Sequence, residues 1–247
     1  MNAKVWLVGA GPGDPELLTL KAVRALNQAD VVLIDDLVNP AVLSHCPAAR
    51  IIPVGKRGGC RSTPQAFIHR LMLRYARQGK CVARLKGGDP CIFGRGGEEA
   101  QWLQERGVEV ELVNGITAGL AGATQCGIPL TLRGISRGVT LVTAHTQDDS
   151  TLNWQALAQG GTTLVVYMGV AKLDEIQAQL LAGGMAAATP VAMIENASLP
   201  QQRECRSNLL QMRADALAFK LQSPAILVIG EVAAGVDAAL QSQVATG

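Results

Sequence analysis

Short runs of consecutive apolar residues recur along the chain, and most are followed by a segment whose apolar positions fall three or four apart. The runs at 4–9 (KVWLVG), 30–35 (DVVLID), 50–54, 81–85 (CVARL) and 108–113 read as strands buried on both faces. Between them, Leu17, Leu20, Val23 and Leu26 mark a helix over 17–28. Thr63-Pro64 predicts a second helix start, with a capping hydroxyl before Pro at the first helical position and a stop at Gly79. A third helix is expected over 98–106, opening on Glu98 and Glu99 where a helix N-terminus favours acids, and ending at Gly107. Asn114-Gly115-Ile116-Thr117-Ala118-Gly119 then opens a small-residue helix that ends near Gly127 and Pro129.

The pattern resumes with strands at 139–143, 162–168, 190–195 and 225–231, a polar edge strand at 202–206, and helices at 154–158, 172–182 and 208–221. In the first half, up to residue 113, alternation of strand and helix predicts a parallel sheet with right-handed crossovers. The expected architecture is therefore α/β, with one domain over 1–113, a second over 114–235, and a small, polar, flexible tail over 236–247.

Composition fits this picture. Apolar residues make up 48% and aromatics 3%, so the core must come from Val, Leu, Ile and Ala. A net charge of +2 argues against a nucleic-acid or membrane-surface binder. The cations are unevenly placed, however: Lys56, Arg57, Arg61, Arg84, Lys86, Arg95, Arg133 and Arg137 fall near strand ends or in loops. An anionic small molecule accounts for that distribution, and a solvated surface accounts for any one member of it. The six cysteines show neither CxxC nor metal-finger spacing, so no metal site is expected. With no signal peptide and no membrane-length apolar run, the expected location is cytoplasmic.

Candidate chemistry gathers at the strand ends. Arg84 to Glu99 (RLKGGDPCIFGRGGEE) combines five of the chain's glycines with forked cations after a buried strand, where α/β proteins bind ligands. The loop after the first strand, Gly9-Ala10-Gly11-Pro12-Gly13-Asp14-Pro15, lacks the dinucleotide fingerprint: Asp14 stands where its third glycine belongs. Pro12 and Pro15 offer no N–H to a phosphate, so a loop presenting carbonyl oxygens to an uncharged or cationic group fits better. Asp35 and Lys56 end or follow strands and read equally as turn residues or functional groups. Their recurrence at one sheet edge favours function. No Ser-His-Asp or Cys-His set assembles.

Taken together, VGAGPGDPELLTLKA (8–22), VVLIDDLV (31–38), VGKRGG (54–59), RLKGGDPCIFGRGGEE (84–99), NGITAG (114–119), GIPLT (127–131), VVYMG (165–169), PVAMIENAS (190–198) and SPAILVIGEV (223–232) resemble the uroporphyrinogen-III C-methyltransferases of the tetrapyrrole methylase family. The resemblance spans almost the whole chain in order. It implies the two-domain tetrapyrrole methylase fold with the active-site cleft between its α/β domains, a homodimer, and S-adenosyl-L-methionine as cofactor, leaving as S-adenosyl-L-homocysteine. It implies methylation of uroporphyrinogen III at C2 and C7 to precorrin-2, in cobalamin, sirohaem or haem d1 biosynthesis. Family cofactor contacts carry over to Pro12, Gly87, Gly88, Asp89, Ile92, Thr117, Ala118, Met168 and Ala197, and a proton acceptor and donor to Asp35 and Lys56.

Asp89 is expected to accept hydrogen bonds from the cofactor, and Arg95 to hold substrate carboxylates and assist proton removal. Arg133, Arg57, Arg61 and Met168 complete the expected substrate side. This chain departs from the family at Thr131-Leu132-Arg133, where relatives often carry Thr-His-Arg, at Cys91 in place of Phe, and at Ala197 in place of Gly. The rival readings are another tetrapyrrole or precorrin methylase, a non-catalytic tetrapyrrole carrier, and a nicotinamide enzyme, the last disfavoured by the missing fingerprint.

Overall fold

The computed structural model describes residues 3–55, 63–145 and 152–239. It divides into two compact units between Thr117 and Ala118. Residues 114–117 therefore belong with the first unit, because Asn114 and Gly115 bond to its Asp89.

The first unit is built on a five-stranded sheet of β1 (Lys4–Gly9), β2 (Val31–Ile34), β3 (Arg50–Pro53), β4 (Val82–Lys86) and β5 (Glu109–Val113), in the order β3-β2-β4-β1-β5. Every pairing is parallel. Alternate residues feed two cores. Trp6, Val8, Val32, Ile34, Ala83 and Leu85 pack on one face, with α1 (Leu20–Gln28). Val5, Leu7, Val31, Leu33 and Val82 pack on the other, with α2 (Gln65–Arg77) and α3 (Gly96–Gln104). From β1 the chain moves towards β2, and from its neighbour β4 towards β5 on the far side. Their C-terminal ends thus form a topological switch point, the place where open α/β sheets leave a crevice.

Two helix starts differ from expectation. Pro64 is the N-cap of α2 and Gln65 the first helical residue; Thr63 instead donates its hydroxyl to the Gly55 carbonyl at 3.1 Å. A residue before proline is held extended, which keeps Thr63 out of the helix. α3 begins at Gly96, because Arg95 adopts a left-handed conformation (φ 58°) and turns the chain there.

The second unit has five strands, β6 (Val139–Thr143), β7 (Thr163–Tyr167), β8 (Pro190–Glu195), β9 (Arg203–Asn208) and β10 (Ala225–Ile229), in the order β6-β7-β10-β8-β9. Only β6 and β7 run parallel; β10 is antiparallel to both neighbours, and β8 to β9. The second sheet is therefore mixed, where the first is parallel throughout. The connection from β8 to β9 is too short for a crossover and has to fold back as a hairpin. β9 lies at the edge, as its polar composition predicts.

Helices α4 (Ala118–Gln125), α5 (Trp154–Gln159), α6 (Leu173–Ala182) and α7 (Met212–Phe219) complete the unit. α7 starts later than the pattern indicates, since Asn208 still belongs to β9 and caps the turn by accepting from Gln211 N. Residues 240–247 of the expected tail lie outside the described residues, while Ala239 is buried and bonds to Gly235 O. No described helix is long and apolar enough to cross a membrane, and no metal-binding cluster occurs among the described residues.

Candidate active site

At the switch point the loops after β1, β4 and β5 lock together through backbone. Ala10 N donates to Lys86 O at 2.7 Å, Gly88 N to Gly11 O at 2.7 Å, and Gly11 N to Gly88 O at 3.2 Å. A side chain has no room at the centre. A Cβ on Gly9 would sit 2.5 Å from Gly115 N and 2.7 Å from Gly88 O, and one on Gly115 would sit 2.8 Å from Gly9 Cα. Gly11 and Gly88 hold φ values of 72° and 68°, a region costly for residues with a Cβ. Asn39 anchors the first loop by donating to Gly13 O at 2.7 Å, and Asp14 caps the following turn by accepting from Glu16 N. Pro12, Gly87 and Gly88 are half-buried on this cradle, with Ile92 beside them. Gly9 and Gly115 are the parts that motif reading left out; glycine at two strand ends was the available signal.

Asp89 does not face outward to a ligand. Its Oδ1 accepts from Cys91 N at 2.7 Å, while Oδ2 accepts from Gly115 N at 3.1 Å and Asn114 Nδ2 at 3.3 Å. At 7% exposure it staples the β4 loop to the β5 loop. Both carboxylate oxygens are thus engaged within the protein, and Asp89 holds the cradle together. In Asp89→Asn, an amide NH₂ replaces the oxygen that faces two donors. Unfolding free energy should fall by about 1–3 kcal/mol, the usual cost of an unsatisfied buried polar group, read as a lower Tm.

Arg84 and Lys86, counted above among cations for an anionic ligand, are buried at 2% and 6% exposure. Period-two alternation on β4 sends both to the α2–α3 face with Val82. Arg84 Nη2 donates to Asp35 Oδ2 at 2.7 Å and Nη1 to Leu85 O at 3.3 Å. Lys86 Nζ reaches Glu99 Oε1 at 3.2 Å, and Gln65 Nε2 donates to the same oxygen at 2.6 Å. Glu98 and Glu99 stand in the first turn of α3, as expected, and the Glu99 side chain is in addition fully buried, against Lys86 and Gln65. Burial, with Arg84 beside it, lowers the Lys86 pKa below the ordinary lysine value. His69, next to Gln65 and tilted against Trp102 at 5.0 Å between ring centroids, is also lowered, chiefly by burial.

Asp35 is the member of this group that reaches solvent, with its side chain 30% exposed. One oxygen is committed to Arg84; Oδ1 accepts no hydrogen bond from a described residue. Arg95 is half-exposed and forks onto Glu98, with Nη2 to Oε2 at 2.6 Å. The hydrogen bond to Glu98 raises the Arg95 pKa above the usual guanidinium value. Arg133 is exposed. Lys56, Arg57 and Arg61 lie outside the described residues.

In the second unit Ala118 opens α4, and the next residue, Gly119, donates its N–H to the Tyr167 hydroxyl at 3.0 Å. Met168 follows with φ 54° and half its surface exposed. Ala197 is buried between two left-handed residues, Asn196 (φ 52°) and Ser198 (φ 63°), and lies across from Gly122 of α4. Among the described residues, apart from Lys220, which caps a helix, every non-glycine residue of positive φ sits in a strand-end loop singled out from the sequence: Phe93, Arg95, Met168, Asn196 and Ser198. Strain of this kind concentrates where a site requires it. Thr117 is buried at the end of the first unit.

A parallel sheet with a glycine-locked crevice at its switch point and no phosphate fingerprint describes an α/β protein outside the dinucleotide class. A family model described as Tetrapyrrole (Corrin/Porphyrin) Methylases matches residues 4–212. Uroporphyrinogen-III C-methyltransferase of Pseudomonas fluorescens is 78% identical over 239 residues, 97% of each chain. The protein of the same name from Pseudomonas aeruginosa is 77% identical over 94% of this chain and 95% of its own. Among solved structures, uroporphyrin-III C-methyl transferase from Thermus thermophilus, complexed with S-adenyl homocysteine, superposes with a TM-score of 0.81 at 42% identity, covering 93% of this chain and 98% of that one. The chain belongs to the tetrapyrrole methylase family.

Proposed function

We infer that this chain is an S-adenosylmethionine-dependent C-methyltransferase that methylates uroporphyrinogen III at C2 and C7, giving precorrin-2 for cobalamin, sirohaem or haem d1 synthesis. The observation that carries the reading is 78% identity to the P. fluorescens uroporphyrinogen-III C-methyltransferase across 97% of both chains. The cradle supports it. Gly9, Gly88 and Gly115 leave no space for side chains, so the loops present backbone, and carbonyl oxygens suit a sulfonium cation. Pro12 withholds an N–H, in keeping with a ligand that is not a phosphate.

When bound, S-adenosylmethionine supplies an electrophilic methyl group. The residues of the chain align the substrate carbon with it, and alignment is the larger part of such catalysis. Pro12, Gly87, Gly88, Ile92, Thr117, Ala118, Met168 and Ala197 are the proposed cofactor contacts, with Asp89 holding their loop. Asp35 is the proposed proton acceptor, through its open Oδ1. Lys56 is the proposed donor. The exposed Arg95 and Arg133, with Arg57 and Arg61, are proposed to meet the substrate's carboxylates by forked hydrogen bonds. A cytoplasmic homodimer is part of the same reading.

Anaerobic incubation with uroporphyrinogen III and S-adenosylmethionine should give a product heavier by two methyl groups in mass spectrometry. A gain of one methyl would move the chain to another methylase activity, and no gain would leave it a carrier.

A further inference from the structure

The buried charges under Asp35 are more than a structural ion pair. Arg84 and Lys86 lie on one face of β4, two like charges taken out of water side by side. Burying a cation costs several kcal/mol unless a carboxylate compensates it. Two carboxylates are available: Asp35, which must keep an oxygen open if it is to take a proton, and Glu99, which is fully buried on α3. Glu99 Oε1 draws Lys86 Nζ at 3.2 Å, Gln65 Nε2 at 2.6 Å and, more distantly, Arg84 Nε at 3.6 Å. Its Oε2 and Arg84 Nε have no hydrogen-bond partner among the described residues. The cluster is therefore held by charge balance more than by saturated hydrogen bonding. Asp35 lies beside Lys86 across the β2–β4 pairing: Ile34 pairs with Leu85, and Asp35 N donates to Leu85 O at 3.3 Å.

We propose that Glu99 is a positioning residue for Asp35: its buried charge draws Lys86 away from Asp35, so that Asp35 is held by Arg84 on one oxygen and keeps the other free for the substrate's proton. The proposal rests on the reading of Asp35 as proton acceptor. Removing the Glu99 charge leaves two buried cations facing Asp35 alone. Lys86 then turns to the remaining carboxylate and occupies its free oxygen.

The test uses the full chain and three variants: Glu99→Gln, Asp35→Asn and the charge-balanced double variant Lys86→Met/Glu99→Gln. In Glu99→Gln, kcat should fall about tenfold, a part of the roughly hundredfold or larger contribution of a general base, with the KM for S-adenosylmethionine unchanged. The double variant removes the displaced cation together with its partner and should recover kcat to within about threefold of wild type, a coupling that a double-mutant cycle reads directly. A packing role would give no such recovery. If Glu99→Gln does not fold, the double variant decides alone: recovered turnover supports the proposal, and turnover as low as that of Asp35→Asn overturns it. Wild-type kcat in Glu99→Gln, with Asp35→Asn inactive, also overturns it. Full activity in Asp35→Asn would refute the acceptor reading itself, a separate and distinguishable failure.

Discussion

Replacing Gly115 by alanine is expected to abolish binding of S-adenosylhomocysteine and to destabilise the first unit. The added Cβ would sit 2.8 Å from Gly9 Cα, 2.9 Å from Gly9 C and closer still to the Gly88 carbonyl oxygen. These are backbone atoms of β1 and of the β4 loop, so no rotamer change relieves the clash. Overpacking in a tight core costs about 1–3 kcal/mol. Here the strain also parts the loops that Ala10, Gly11 and Gly88 hold together through three backbone hydrogen bonds. Gly97→Ala is the control. It lies in α3, where an added Cβ meets nothing within 4 Å. That variant should be neutral or more stable by about 0.5–1 kcal/mol, the usual gain from removing a helical glycine. Calorimetric titration with S-adenosylhomocysteine, alongside a thermal melt, checks both; wild-type affinity in Gly115→Ala would show that the cradle is not the cofactor site.

Asp35→Asn should lower turnover by about a hundredfold or more, the contribution of a positioned general base, while cofactor affinity stays at its wild-type value. The substitution keeps the shape of the side chain and an oxygen for Arg84, and takes away the charge and the basic oxygen. Methyl incorporation into uroporphyrinogen III measures the loss, and titration with S-adenosylhomocysteine shows whether binding survives. Turnover within tenfold of wild type would remove Asp35 from the mechanism. Because Asp35 is partly exposed while Arg84 is buried, the variant should also melt somewhat lower. A Tm measured in the same preparation separates that effect from chemistry.

Much of the first unit was legible because its strands are short, largely apolar and spaced by amphipathic helices. Those features require a parallel sheet covered on both faces. The second unit offered similar runs, but an apolar run carries no direction. Whether β8 is followed by a crossover or a hairpin depends on the length of chain between elements, and that made the sheet mixed. Glu98 and Glu99 show the same limit at the scale of one residue. Neighbours on a helix point about 100° apart, so Glu98 meets Arg95 in solvent while Glu99 enters the core to meet Lys86. Asp89 was recognised as part of the site, but its partners Asn114 and Gly115 arrive from another strand.

The sequence by itself determined the order of strands and helices, the loops in which the site had to lie, and the family, because each is written in local runs and motifs. Only the tertiary structure decided which of those polar residues are buried and which keep a face to solvent. Arg84, Lys86, Glu99 and Asp89 are polar and sit at strand ends or a helix start, as binding residues do, yet they are buried. A buried charge is stable only with a partner, and the partners here come from elements far apart in the chain. Asp35 keeps a face to solvent because β2 ends just before it, and Arg84 holds it in place from beneath.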